Sequence, residues 1–287
     1  MTHASALSSH GFFGNPLPSH SSTPVRSISV VIITQDEEVR TADAIRSCLG
    51  FADELIVVDG GSRDRTVANA QALGCQVYIN PWPGYAEQRN FGIAKATHEW
   101  IFLLDSDEVV SEELAAAFVG WKHAPKVHAD VFAVKRVNNF LGIWLEGQAE
   151  YMTRLYRKSL FRIKDVLVHE GPDVGKAKVI KLSGILWHHS FRNLDDQIRR
   201  FHKYTDLEAQ QAYQRGKPFS LIRLVLKPPA RFLQRYVLQR LFRQGVPGFA
   251  YSILWTYYDF LREIKLYEMY SQPTQGSRER KESCRNT

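Results

Sequence analysis

Short apolar runs separated by amphipathic stretches organise the first hundred residues. Ile28-Ser-Val-Val-Ile-Ile-Thr34, Leu55-Ile-Val-Val-Asp59 and Trp100-Ile-Phe-Leu-Leu-Asp105 are too short for helices and read as strands buried on both faces. Gln76–Ile79 reads as a further strand. Between the runs, Val39, Ala42, Ile45 and Leu49 recur at helical spacing. A second helix follows Asp64, a plausible N-cap, and closes at Gly74, and Tyr85–Ala96 forms a third. Strand and helix alternating at this interval predict βαβ units and an α/β fold with a mostly parallel twisted sheet, helices on both faces.

Downstream the pattern loosens. Val131–Val137 alternates like a strand, Asn138–Gly142 reads as a loop, and Glu150–Arg157 and Leu182–Ser190 read as strands. From Leu194 onward Ile198, Phe201, Thr205 and Ala209 repeat about once per turn, which predicts a helical extension. Lys227-Pro-Pro229 and Gln244–Gly248 interrupt it. The organisation expected is a Ser-, His- and Pro-rich disordered leader over 1–26 and a catalytic domain over 27–192. A helical, basic amphipathic extension over 193–270 and a disordered tail over 271–287 complete it.

The chemistry sits where the strands stop. In an open α/β sheet, ligands collect at the carboxyl ends of the strands. There this chain places Asp36-Glu37-Glu38, then Asp59 with Gly60-Gly61, then Asp105-Ser106-Asp107. On an extended backbone Asp105 and Asp107 would project to one side, and two convergent carboxylates suit a hard divalent cation working on phosphate oxygens. The blander readings are a solvated acidic turn, a helix-capping Asp59, and a first-turn pair at Glu37 and Glu38 favoured by the helix dipole. No GxGxxG and no GxxxxGK[ST] occurs, which argues against a dinucleotide dehydrogenase or a P-loop enzyme.

Composition narrows the partners. The 287 residues are 44% hydrophobic and 23% charged, so the chain is globular. A net charge of +7 fits an anionic partner, a nucleotide or a membrane surface among them. The three cysteines, Cys48, Cys75 and Cys284, have neither metal-ligand spacing nor even pairing, as expected of a reducing, cytoplasmic compartment. No run of about 20 apolar residues predicts a transmembrane helix.

The segments Ile32–Glu38, Val57-Val-Asp-Gly-Gly-Ser-Arg-Asp-Arg-Thr66, Gln88-Arg-Asn90 and Leu104-Asp-Ser-Asp-Glu108, in that order, resemble family-2 glycosyltransferases of the GT-A fold. The resemblance is to the branch with lipopolysaccharide core β-glucosyltransferases. It runs over roughly 28–270 and is strongest in the first hundred residues. It implies an NDP-sugar donor, UDP-glucose-like, and Mg²⁺ or Mn²⁺. Thr34, Glu37 or Glu38, and Asp59 would contact the nucleoside. Arg89 would lie near the pyrophosphate or ribose. Asp105, with Ser106 beside it, would reach the ribose or metal, and Asp107 would coordinate the metal. The chain departs from the family pattern at Asp36, usually Asn, and at His98, usually Gly.

For the acceptor, the resemblance points to Arg154-Leu-Tyr-Arg157 and Val168-His169-Glu170. An inverting transferase needs one base for the acceptor hydroxyl. Glu170 is the first candidate, with His169 orienting it or touching substrate; Asp165, Glu146 and Glu150 are the others. His188 is either an additional metal ligand, as in several GT-A enzymes, or a hydrogen-bonded structural histidine. Between Phe219 and Arg243 apolar residues interleave with Arg223, Lys227, Arg231, Arg235, Arg240 and Arg243. That pattern suits the surface of an anionic membrane, at the inner face of the plasma membrane if the acceptor is a glycolipid. Nucleic acid is not an expected partner. Two other classes remain open at this point: a sugar nucleotidyltransferase, which would open with a Gly-rich basic loop, and a non-enzymatic basic membrane-binding protein.

Overall fold

A computed structural model describes residues 25–163, 172–190 and 193–271. The expected elements of the first half form. β1 (Ile28–Thr34), α1 (Glu38–Cys48), β2 (Glu54–Asp59), α2 (Thr66–Ala72), β3 (Gln76–Ile79), α3 (Tyr85–Lys95) and β4 (Trp100–Asp105) follow one another. β3, β2, β1 and β4 lie side by side and parallel, with Thr34 level with Asp59 and Ile33 level with Asp105. Their ends therefore make one edge.

The apolar runs are continuous because both sheet faces are covered. Val30, Ile32, Val57, Phe102 and Leu104 pack into one cluster with Ala44 and Ile45 of α1. Val31, Ile33, Ile56, Val58, Ile101 and Leu103 pack into the other with Ala86 of α3. Gly92 lets α3 sit close on the sheet, since a Cβ there would fall 2.5 Å from Val31 Cγ1 and 2.8 Å from Val58 Cγ2.

Beyond β4 come β5 (Glu108–Val110), α4 (Glu112–His123), β6 (Val131–Phe140), β7 (Ile143–Trp144), β8 (Glu150–Arg157) and β9 (Val179–His188). The sheet continues β4-β8-β6-β9-β5, antiparallel at β4–β8, β8–β6 and β9–β5 and parallel at β6–β9. The parallel order thus belongs to the first four strands, and the remainder is mixed. Helix α4 buries Leu114, Phe118 and Trp121, one face at helical spacing. Its N-cap Ser111 accepts from the Leu114 N–H at 3.2 Å, with Glu112 and Glu113 in the first turn and Lys122 and His123 in the last.

The loop expected over Asn138–Gly142 is mostly strand. β6 runs to Phe140, and the turn is Leu141-Gly142 alone, both at positive φ, the geometry of a tight two-residue hairpin. Asp64 is not the N-cap: α2 starts at Thr66 with Arg65 at that position and no side-chain cap, and Asp64, one residue earlier, accepts from the Thr66 N–H through Oδ1 at 2.9 Å within the preceding turn.

The helical part comprises α5 (Leu194–Gln214), α6 (Leu221–Val225), α7 (Lys227–Leu233), a π-helical turn (Gln234–Leu238), a 3-10 turn (Leu241–Gln244) and α8 (Gly245–Ser271). Pro228 and Pro229 open α7, where missing N–H groups cost little. Phe201 and Thr205 of α5 are buried, with the Phe201 ring against Trp255 and Tyr258 of α8. Leu241 and Tyr251 pack with Phe140 and Leu145, joining the helices to the β6–β7 hairpin.

Candidate active site

The ends of β1 and β2 interlock through their loops. Asp59 is fully buried; its Oδ1 accepts from the Gly61 and Ser62 N–H groups at 2.8 and 2.7 Å, and its Oδ2 accepts from the Ser62 hydroxyl. Ser62 Oγ also accepts from the Asp36 N–H at 2.8 Å, and Asp36 Oδ1 accepts from the Arg63 N–H at 2.8 Å. Asp36 stands at φ +52, a left-handed conformation that Asn and Asp tolerate, so its departure from Asn leaves the turn intact. The Thr34 hydroxyl is buried against Thr41 at 2.7 Å. The Glu37 N–H donates to Thr66 Oγ1 at 3.0 Å, and Glu38 Oε2 accepts from the Arg65 N–H at 3.1 Å. Structure brings Thr34, Glu37, Glu38 and Asp59 to one edge and employs much of their polarity in shaping it.

Asp105 and Asp107 do not share an extended backbone. β4 ends at Asp105, and Ser106 and Asp107 form a turn before β5. The two carboxylates accordingly have different partners. Asp105 Oδ1 accepts from Arg89 Nη2 at 2.7 Å and its Oδ2 from Arg154 Nη2 at 3.0 Å. Burial opposes ionisation of Asp105, but the two guanidiniums outweigh it and hold the carboxyl well below the usual range. Arg154 Nη2 also donates to Glu108 Oε1 at 2.5 Å, and Glu108 Oε2 accepts from the Asp105 N–H at 3.0 Å. Arg136 Nη1 lies 3.5 Å from the same Glu108 oxygen, and Arg136 Nη2 donates to Glu150 at 2.5 Å. One guanidinium thus clamps both ends of the turn that carries Asp107.

Asp107 faces His188. His188 Nε2 lies 3.4 Å from Asp107 Oδ2, and its Nδ1 lies 2.7 Å from Asn138 Oδ1 and 3.0 Å from Ser190 Oγ. Register explains the encounter: Glu108, His188 and Asn138 stand in one row across β5, β9 and β6. With Nδ1–H given to Asn138, Nε2 is the nitrogen turned to the carboxylate. Burial would raise the Asp107 carboxyl, but the His188 charge and hydrogen bond hold it below its ordinary value. Arg200 of α5, ion-paired to Asp196 at 3.2 Å, adds positive potential at Asp107.

Among the described residues no group of three or more His, Cys, Asp or Glu side chains is arranged to hold a metal. The fit is instead that of a partial site. Two ligands of one octahedral ion at about 2.1 Å stand roughly 3 Å apart, close to the Asp107–His188 separation. Glu170, His169 and Asp165 lie outside the described residues. Glu146 is exposed in a 3-10 turn, and exposed Glu150 is tied to Arg136. In the sequence Arg154 stands only within an acceptor-side segment and Glu108 only at the end of a motif, while Arg136 and Asn138 have no mark of their own; their joint place around Asp105 and Asp107 is seen only in the structure. Their signal was charge and amide placed inside strands, which the alternation alone could not interpret.

The sheet, parallel over its first four strands with carboxylates and arginines gathered on their carboxyl edge and continued by a mixed half and helices, has the architecture of the GT-A type. Residues 29–177 match Glycosyl transferase family 2, and the chain belongs to that family. It is 30% identical over 258 residues to an uncharacterized glycosyltransferase of Rickettsia typhi, covering 85% of this chain and 88% of that one. Over 267 residues it is 30% identical to the lipopolysaccharide core biosynthesis glycosyltransferase LpsC of Rhizobium meliloti, covering 86% and 94%. Among solved structures, 40% of this chain aligns with 44% of glucosyl-3-phosphoglycerate synthase from Mycobacterium tuberculosis, at 27% identity and a TM-score of 0.33. That protein was solved with Mn²⁺, UDP and glucosyl-3-phosphoglycerate. The overlap is partial, and the family rests on the first match and the full-length relatives. Membership sets aside the nucleotidyltransferase and the non-enzymatic alternatives.

Proposed function

We propose that this glycosyltransferase moves a hexose from an NDP-sugar, UDP-glucose-like, to a saccharide on a lipid-linked acceptor such as lipopolysaccharide core, with inversion and with Mg²⁺ or Mn²⁺. The observation that carries the reading is Asp107 facing His188 at 3.4 Å, beside an Asp105 neutralised by Arg89 and Arg154. The acceptor class draws on the likeness to LpsC, named for lipopolysaccharide core biosynthesis.

In the reaction the acceptor hydroxyl oxygen bonds to the anomeric carbon as the bond from that carbon to the β-phosphate oxygen breaks. The nucleoside diphosphate leaves with the electron pair, and the hydroxyl proton passes to a base. Asp107 and His188 would hold the cation, which supplies charge against the departing diphosphate. The cationic side chains Arg89, Arg154 and Arg200 add to the positive potential at that end. Thr34, Glu37, Glu38 and Asp59 would shape the nucleoside end, and Ser106 would line the phosphate side. Glu170 is the proposed base with His169 orienting it, on the strength of the family resemblance. The donor half would span 27–125 and the acceptor half 126–192, at the cytoplasmic face of an anionic membrane.

The test is turnover of NDP-sugars by the full chain, with and without EDTA. Transfer should need added Mg²⁺ or Mn²⁺ and vanish in Asp107→Ala. Full activity in EDTA, or in Asp107→Ala, would sink the metal assignment. Glu170→Gln should retain donor binding and lose transfer.

A further inference from the structure

Helix α8 is built the wrong way round for a helix facing water. From Val246 to Tyr267 every exposed side chain on it is apolar or aromatic: Val246, Phe249, Ile253, Tyr257, Phe260 and Tyr267, each between 38% and 78% exposed. Their spacing puts them on one face. The two acidic side chains of that span, Asp259 and Glu263, turn inward instead. Buried Asp259 pairs with Lys227 at 3.0 Å, Arg235 at 3.3 Å and Arg262 at 3.6 Å, and buried Glu263 pairs with Arg223 at 3.0 Å. α6 packs on α8 and adds exposed Leu221, Ile222 and Val225. Arg231, Arg240 and Arg243 are exposed in the same helical region.

We propose that this face of α8 and α6 beds into the headgroup layer of an anionic phospholipid bilayer, with α8 lying in the plane. An exposed apolar stripe of this extent marks an interaction surface, and the exposed arginines of α7 and of the turn leading into α8 favour a negative partner. No described helix is long and apolar enough to cross a membrane, so the helix lies on the bilayer. A second copy fits less well, because two-fold pairing would set one set of arginines against the other. The face is also connected to the site. Gln239, just before the 3-10 turn, accepts from Gln148 at 2.5 Å, and Leu241 and Tyr251 pack on the β6–β7 hairpin. Strand β6 of that hairpin carries Asn138, the brace of His188. Docking would therefore seat the acceptor half at the lipid surface. Only this last step rests on the proposed function; the lipid contact does not.

The full chain should cosediment with vesicles of phosphatidylcholine plus phosphatidylglycerol at least about tenfold more strongly than with phosphatidylcholine alone. Ile253→Ser/Phe260→Ser should weaken that partition by about tenfold or more, and Arg240→Ser/Arg243→Ser should abolish most of the preference for anionic lipid. Circular dichroism and nucleotide binding should stay unchanged in both. Equal partition onto both lipids, or partition unaffected by Ile253→Ser/Phe260→Ser, overturns the proposal. So does a dimer that this double variant splits in sedimentation velocity while vesicle binding persists, which would assign the face to a second copy. Vesicle binding as expected with no sugar transfer from any NDP-sugar would count against the function and leave the face standing.

Discussion

His188 Nε2 stands 3.4 Å from Asp107 Oδ2 while Asn138 holds the far nitrogen of the same ring at 2.7 Å. A carbonyl oxygen behind an imidazole fixes its tautomer and orientation and tunes it as a ligand. Asn138→Ala should therefore raise the Mn²⁺ concentration for half-maximal turnover by roughly 10–100-fold, with most of the rate recovered at saturating metal. Metal titrations of turnover check this. An unchanged titration would mean that Asn138 supports only the strand.

Arg154 answers to two buried carboxylates at once. Replacing it by Met leaves Glu108 and Asp105 buried with less compensation, and breaking such a pair costs about 3–5 kcal/mol. Urea denaturation should show Arg154→Met destabilised by an amount in that range. A loss under about 1 kcal/mol would place the clamp in a more solvated setting than its 4% exposure indicates.

The pH dependence follows from the same cluster. Asp105 and Asp107 have folded-state carboxyls below the ordinary value of 3.8, so their stabilisation is present above that value and is lost as pH falls below it. Glu108 acts in the opposite sense, because burial and repulsion from Asp105 push its carboxyl above 4.5 despite Arg154. With two carboxyls against one, the denaturation midpoint should decline from about pH 4 downward, below the range where Glu108 titrates. A midpoint that rises on acidification would show that Glu108 dominates.

Gly184 sits in β9 at φ +92, and a Cβ there would lie 2.3 Å from the backbone nitrogen of Leu114 in α4. Backbone strain and overpacking each cost about 1–3 kcal/mol, so Gly184→Ala should lose roughly 3 kcal/mol or more. Because β9 also carries His188, the variant should weaken metal-dependent turnover as well. Calorimetric melting within a degree or so of wild type would contradict the close approach.

Cys48 and Cys75 are free and buried, and burial pushes their thiols up to about 12 and about 11. Thiolate is the reactive form, so both should resist a thiol reagent at pH 8 in the folded protein. In a Cys284→Ser background no label should appear until denaturant is added, when two equivalents should react. Rapid labelling of the native variant would be the opposing result.

The apolar runs, their length and the acidic residues that end them determined the parallel half of the sheet and the edge where the site lies. Burial on both faces leaves a continuous apolar run in the chain itself, and a strand's end is a local fact. The four ordered motifs, with the resemblance they carry, likewise pointed to the family. Contacts between distant segments were decided only by the tertiary structure. Whether Arg154 served Asp105 depended on β8 pairing beside β4, 49 residues away along the chain. Whether His188 was near Asp107 depended on β9 meeting β5 in one register. The outward stripe of α8 was equally illegible, since its apolar residues recur at the period of a core helix. Only packing against α5, α6 and α7 decided that Asp259 and Glu263 turn inward and Ile253 and Phe260 turn out.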